Sequence, residues 1–270
     1  AGASAIVVNF VNQVINHQSR EFASGIARDE ALSMIGALVG SALDGCGIKA
    51  QQLIGIGIGA PGVVDTRTGV VVEYSRIAGL SEYSLKNHFQ SVFRVPVFVH
   101  NNASVIAASE YHYDVAREYD SVLAVLVRGG VGAAFVNHGR LFVNGTTTAL
   151  ELGRTSACFS ASGAIQDDAQ TLESVVGEAP LLERLRTATG VTNWNAAERE
   201  IPTEQLAELL DLPARMLATA VRNLYHILHP DAILLISRYA ALAGVLQNAV
   251  ARAVPETDAI AVPYDPVKAC

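Results

Sequence analysis

The sequence predicts an α/β chain of two lobes, and three observations carry that expectation. Short runs rich in Val and Ile alternate with segments whose apolar residues recur at helical spacing; the alternation occurs twice; and no Pro- or Ser-rich linker lies between the two series. The alternation favours largely parallel sheets, with a cleft between the lobes. At 270 residues, half of them hydrophobic and only 17% charged, the chain has the material for a sizeable core and is unlike a disordered one.

The elements follow in order. Ala5 to Phe10 and Gln13 to His17 read as two strands joined by a short turn. Asp29 to Leu43 carries Ala31, Leu32, Ile35, Leu38, Val39 and Leu43 on one helical face, with Gly45 and Gly47 as the stop. Leu53 to Gly59 is a buried strand that runs into the Pro61-Gly62 turn. Val95 to His100 is a β-branched strand, and Asn101-Asn102-Ala103-Ser104 then offers polar caps for a helix over Val105 to Tyr119. Ser121 to Arg128 and Ala133 to Asn137 are strands flanking Gly129-Gly130-Val131-Gly132. Leu206 to Leu228 has a strong helical period interrupted by Pro213. Ala232 to Ile236 is a buried strand, and Ala240 to Val254 a last helix.

Charge and cysteine usage narrow the function classes. The net charge is -7 and no Lys/Arg run occurs, so this chain by itself lacks the clustered positive charge that neutralises phosphates in nucleic-acid binding. Cys46, Cys158 and Cys270 are too few and too scattered for a disulfide framework, which suits reduced thiols and a cytoplasmic protein. No apolar stretch reaches the length of a membrane span, and no membrane partner is expected. The opening Ala1-Gly2-Ala3-Ser4 lacks both a Met and a basic signal-peptide region, which suggests that an upstream segment has been removed.

Four landmarks, taken together and in order, resemble the ROK family (repressors, open reading frames, kinases). They are Gly55-Ile56-Gly57-Ile58-Gly59-Ala60-Pro61-Gly62-Val63-Val64-Asp65, Asn101-Asn102-Ala103-Ser104, Gly129-Gly130-Val131-Gly132 and Glu151-Leu152-Gly153-Arg154. They are similar to the family's G-I-G-x-x-x-P-G-x-V-D, N-D-A-N, G-T-G-I-G-G-G and G-E-I-G-H. The resemblance implies an actin-like, sugar-kinase two-lobed fold with ribonuclease H-like lobes. Residues 1–101 would form an N-terminal lobe, incomplete because its first strand and D-x-G-G-T loop are absent, and 102–270 a C-terminal lobe.

The departures from the family pattern carry most of the functional expectation. The family's general base is the Asp of N-D-A-N, and that position is Asn102 here. A carboxamide is essentially non-basic, and losing a general base typically costs about 10²–10⁴ in rate. Arg128 and Ala133-Ala134 replace glycines of the phosphate turn. Ile236-Ser237-Arg238 stands where the family has Gly-Gly-Gly after the strand of Pro230 to Leu235. Phosphoryl transfer is therefore expected to be lost, with no catalytic residue and no cofactor. The family's zinc ligands, one His and three Cys, fall on Arg154, Ala164, Gln166 and Thr171, so no metal is expected either.

What the resemblance leaves is a sugar-contacting set: Gly62 in the turn, Asn101, Asn102, Glu151 and Glu173, with Arg154 as a newcomer. Each has a plainer reading. Asn101 and Asn102 are good helix caps, Glu173 suits an acidic first turn, and Gly62 suits turn chemistry. Arg154 is either a salt-bridge partner of Glu151 or Glu173, or a receptor for a sugar phosphate or sugar acid.

The functional expectation is the effector-binding and dimerisation part of a ROK-type transcriptional regulator. It would sense a sugar or sugar derivative as a homodimer or homotetramer and reach DNA only through an upstream helix-turn-helix segment. The alternatives are a residual ATP-dependent sugar kinase and, further off, an interaction scaffold.

Overall fold

The structure, a computed structural model, describes residues 2–23, 25–74, 76–156 and 171–264. Packing divides the chain into two units. Ala1–Ile106 belongs with Val143–Thr148, and Ala107–Phe142 with Ala149–Asp265. The excursion at Val143–Thr148 rejoins the first unit, which a single cut between residues 101 and 102 does not describe.

The first unit opens with a hairpin, β1 (Gly2–Val8) against β2 (Val14–Glu21), with Ile6 opposite His17. Its turn is made by Asn9, whose Oδ1 accepts the N–H groups of Val11 and Gln13. Helix α1 (Arg28–Asp44) follows, burying Ala31, Leu32, Leu38, Ala42 and Leu43 as its apolar period requires. Strand β3 (Ile56–Ala60) pairs in parallel with β7 (Val97–Asn101), which sets Ala60 beside Asn101. Between them lie β4 (Val63–Asp65), β5 (Val70–Glu73) and β6 (Tyr83–Ser84), an antiparallel trio, and helix α2 (Leu85–Phe93), capped by the Ser84 hydroxyl accepting from the Asn87 N–H. Val64, Val71, Phe89, Val97 and Val99 are at the heart of this unit's core. Helix α3 (Asn102–Tyr113) begins directly after β7.

The second unit is built on one sheet of five strands: β8 (Ser121–Val127), β9 (Val131–Asn137), β10 (Arg140–Leu141), β11 (Ala232–Ser237) and β12 (Asp258–Pro263), in the order β10-β9-β8-β11-β12. Every residue of β8 and β11 is buried, so both faces of the central strands are covered. That is why both read as unbroken apolar runs; each buried Val, Leu or Ile contributes about 1.5–3 kcal/mol. The helices described here are α4 (Leu172–Val176), α5 (Glu178–Thr189), α6 (Trp194–Glu200), α7 (Thr203–Leu209), α8 (Asp211–Leu228) and α9 (Ala240–Ala253). Leu217 and Val221 of α8 and Leu242 and Val250 of α9 pack into the same core as Ile233 and Leu235.

Three expectations are corrected. The sheets are less parallel than the alternation suggested: β8 and β9 form an antiparallel hairpin, because the few residues of Arg128-Gly129-Gly130 can only reverse the chain. The helix expected over Val105 to Tyr119 starts at Asn102 and ends at Tyr113. Beyond it the chain unwinds, with the Ala116 N–H reaching back to Glu110 O while Ala116 itself is fully buried. Tyr119 is then held by its hydroxyl donating to Asp258 Oδ2 at 2.8 Å, which pushes the phenol pKa up. Finally, the long period from Leu206 to Leu228 is two helices, α7 and α8. Pro213 sits in the first turn of α8, where its missing N–H has no intrahelical acceptor in any case. Among the described residues no helix is long and apolar enough to cross a membrane.

Candidate functional site

The residues singled out from the sequence fall into two groups, one in each unit. In the first unit, β3 feeds the Pro61-Gly62 turn. Gly62 has φ +79°, a left-handed conformation, and a Cβ there would collide with the Glu73 carbonyl oxygen. The Gly62 carbonyl accepts a hydrogen bond of 2.7 Å from Asn101 Nδ2. The other end of the same amide, Asn101 Oδ1, accepts the Ala103 N–H at 2.7 Å and so caps α3. Asn101 is only 7% exposed. Its side chain joins the turn to the helix start, the plainer of its two readings. Two residues on from Asn102, the buried Ser104 hydroxyl accepts from Thr148 Oγ1 at 2.8 Å, which anchors the returning segment Val143–Thr148.

Asn102 differs from its neighbour. It is the first residue of α3 and partly exposed, and its carboxamide takes no partner among the described residues. It can donate to and accept from a ligand, but it cannot take up a proton at neutral pH. A carboxylate at this helix start would be favoured by the helix dipole. Asn102→Asp is expected to raise stability at pH 7 by about 0.3–1 kcal/mol. The dipole would lower the Asp pKa in the folded state, so the gain is present above the unfolded value of about 3.9 and lost as pH falls through the lower folded value. Thermal melts at pH 7 and pH 3 measure it.

The second group lies in the second unit. Glu151 leads into a short 3-10 turn, Leu152–Arg154, and Arg154 Nε meets Glu151 Oε2 at 3.0 Å. Both side chains are close to half exposed, so the pair contributes at most about 1 kcal/mol and mainly holds Arg154 in place. Glu173 is in the first turn of α4, as its plainer reading expects, yet its carboxylate also lies against this turn. A Cβ on Gly153 would stand 3.2 Å from Glu173 Oε2 and would strike the Val131 carbonyl. The glycine is thus required by a close approach of backbone to backbone. It lets the Glu173 side chain pack against Gly153, on the turn that carries Glu151 and Arg154.

A third cluster was only half legible in advance. Arg128 follows β8 and Arg238 follows β11. The sequence shows them as lost glycines and gives no hint of their partners. Arg238 pairs with Glu178 through two bonds, Nε to Oε1 at 3.3 Å and Nη2 to Oε2 at 2.9 Å, and the Glu178 side chain is 9% exposed. The Arg128 guanidinium lies 4.6 Å from the centre of the Tyr264 ring. Trp194 donates its indole N–H to Glu178 O and stacks on Tyr239 with centroids 5.0 Å apart.

Of the four positions that resemble the family's zinc ligands, Ala164 and Gln166 lie outside the described residues, as does Cys158. Arg154 is engaged with Glu151 and offers a cation, so the two positions that are described, Arg154 and Thr171, do not fit a zinc ion. His100, on β7, is half-buried, and desolvation lowers its pKa, which favours the neutral imidazole.

A mixed five-stranded sheet flanked by helices, joined to a smaller α/β unit, with amides at a helix start in one unit and carboxylates on a turn of the other, fits the actin-like sugar-kinase class of fold. The chain belongs to the ROK family, whose profile matches residues 2–266. Among curated relatives it is similar to a xylose repressor of Caldicellulosiruptor bescii, 23% identical over 215 residues that cover 80% of this chain and 52% of the repressor. The chain therefore spans about half the length of the repressor it matches. Solved structures show the same fold. A ROK family glucokinase from Streptomyces griseus, in complex with glucose and AMPPNP, superposes with a TM-score of 0.76 at 18% identity, covering 93% of this chain and 85% of the glucokinase. A ROK family transcriptional regulator, a homologue of the Escherichia coli Mlc protein, gives 0.75 at 17% identity, covering 95% of this chain and 68% of the regulator. Repressors and kinases both stand among the relatives, so family membership alone does not separate the two activities.

Proposed function

We propose that this chain is the sugar-sensing and assembly domain of a ROK-type transcriptional regulator, and that it binds its ligand without phosphorylating it. The observation that carries the reading is Asn102, a carboxamide with no partner among the described residues where resemblance to the family's kinases calls for a carboxylate base. The site residues in this reading are Gly62, Asn101 and Asn102 in the first unit, and Glu151, Arg154 and Glu173 in the second. Asn101 and Gly62 act by building the turn, Asn102 and the two glutamates by bonding ligand hydroxyls. The mechanism is a population shift: the ligand favours one state of a cytoplasmic homodimer or homotetramer. DNA affinity changes through a helix-turn-helix segment outside this chain. A net charge of -7 supports the assignment of DNA contact to another segment.

Calorimetry with free sugars, amino sugars, sugar phosphates and sugar acids, each with and without Mg-ATP, tests the reading. Binding without ATP, weakened at least tenfold by Glu151→Ala, is the expected result. ATP turnover with any sugar, abolished in an Asn102 or Glu151 variant, would establish the residual-kinase alternative instead. Silence across the panel would leave the scaffold reading.

A further inference from the structure

In open α/β sheets, small ligands bind outside the carboxyl ends of the parallel strands. In the second unit β8, β11 and β12 are neighbouring parallel strands, and the first residues beyond them are Arg128, Arg238 and Tyr264. We infer that these three side chains, Arg238 fastened by Glu178 and Arg128 lying over Tyr264, close the carboxyl ends of the sheet to nucleotides, so that the unit's ligand is read with no nucleotide beside it. The inference rests on the sensor reading and adds to it the residues that exclude the co-substrate.

Two arginines would ordinarily attract a polyphosphate, so the partners decide the matter. The Arg238 guanidinium donates two bonds to the buried Glu178 carboxylate, and a phosphate arriving there must displace that carboxylate or face it. Glu178 is also the first residue of α5, so the end of a helix that could favour an anion already carries a negative charge. A phosphate cradle further needs backbone N–H groups that point outward. Here four such donors are used within the fold. The Arg128 N–H goes to Gly130 O at 2.9 Å and the Glu178 N–H to Arg128 O at 2.8 Å. The Tyr239 N–H goes to Ser237 Oγ at 3.2 Å and the Tyr264 N–H to Ser237 O at 2.6 Å. The Arg128 guanidinium lies over the Tyr264 ring, and the Trp194-Tyr239 stack fills the apolar space beside Glu178, with Trp194 only 4% exposed.

The test is a titration of the folded chain with Mg-ADP carrying a fluorescent ribose label, followed by the same titration on Arg128→Gly/Glu178→Gln/Arg238→Gly. Changing Glu178 with Arg238 avoids a buried carboxylate left without its partner. The wild type is expected to show no saturable binding up to about 1 mM, and the triple variant a dissociation constant at least tenfold lower. Micromolar binding by the wild type overturns the inference, and so does a folded triple variant that gains nothing. Should the variant not fold, the arginine Nε–Hε signals of the wild-type chain decide: no shift on adding Mg-ADP supports closure, and a saturable shift refutes it. Sugar calorimetry on the same preparation keeps the two readings apart. Nucleotide binding alongside sugar binding sinks the closure alone, whereas no sugar binding and no nucleotide binding sinks the sensor and leaves the closure standing.

Discussion

Gly62→Ala is expected to destabilise the chain by about 3 kcal/mol, an effect composed of two parts. An L-residue at φ +79° costs about 1–2 kcal/mol by conformation alone. The added methyl would also overlap the Glu73 carbonyl oxygen and stand 3.0 Å from Tyr74 Cβ. The first of these is backbone of β5, held in register by β4 and β6, so relief requires moving a sheet and not turning a side chain. For a chain of this size the loss corresponds to a fall in melting temperature of about 6–12 °C. Gly47→Ala supplies the control. Gly47 also has a positive φ, +66°, but nothing lies within 4 Å of its Cβ position, so only the conformational part should appear. Equal melting temperatures for the two variants would show that the overlap with Glu73 contributes nothing.

The second large effect is expected at Asn101. Asn101→Ala removes the α3 cap and the donor to Gly62 O together, and leaves both backbone partners to find water in a site that is 7% exposed. A lost cap costs about 1 kcal/mol and a stranded buried group about 1–3, which together give about 2–4 kcal/mol. Asn101→Asp separates the two bonds. It keeps the acceptor for the Ala103 N–H but turns a carboxylate oxygen toward the Gly62 carbonyl in place of an N–H. At pH 7 it should be at least as destabilised as the Ala variant, and it should recover part of the loss at a pH where the carboxyl is protonated and can donate. Combined with Gly62→Ala, the loss should fall short of additive, because the two substitutions damage one hydrogen bond. Weaker ligand binding in an Asn101 variant would therefore report on the turn as much as on the ligand. Asn102 and Glu151 are the cleaner functional probes.

The elements that were legible in the sequence are those where burial is uniform or strictly periodic. Strands β8 and β11 are buried at every position, and apart from a serine at one end of each, Val122 to Val127 and Ala232 to Ile236 are unbroken apolar runs. Helix α1 shows its period because one face alone meets the core. Helices α5 and α6 did not show, since α5 sends only Leu181 and Leu185 of its apolar residues fully inward, and α6 is a short segment started by the Asn193 side chain. The end of α3 did not show either: the segment beyond Tyr113 is shaped by the burial of Ala116 and the Tyr119 bond to Asp258, a partner far along the chain.

The same contrast runs through the site. Local features were readable: Asn101 as a cap, Glu173 in a first helical turn, and Arg154 with Glu151 three residues away. Long-range closure was not. Arg238 reads in sequence as a glycine lost from a turn. Its meaning depends on Glu178, sixty residues earlier, and that of Arg128, in the middle of the chain, on Tyr264 near its C-terminal end. No periodicity or motif links such pairs.

The return of Val143–Thr148 to the first unit has a consequence for anyone who would take the molecule apart. The backbone passes between units at 106/107, again at 142/143 and again at 148/149. No single cleavage can set either half loose, and no uninterrupted stretch of coding sequence specifies one half alone. A nick at the first passage leaves the pieces bound by what Thr148 and Thr146 donate and accept with Ser104 and Thr66. Dissection by protease, or by expressing residues 1–106, should therefore yield fragments that lack part of their own packing, and a gene that joins 1–106 to 143–148 through a short linker is the route to the first unit by itself.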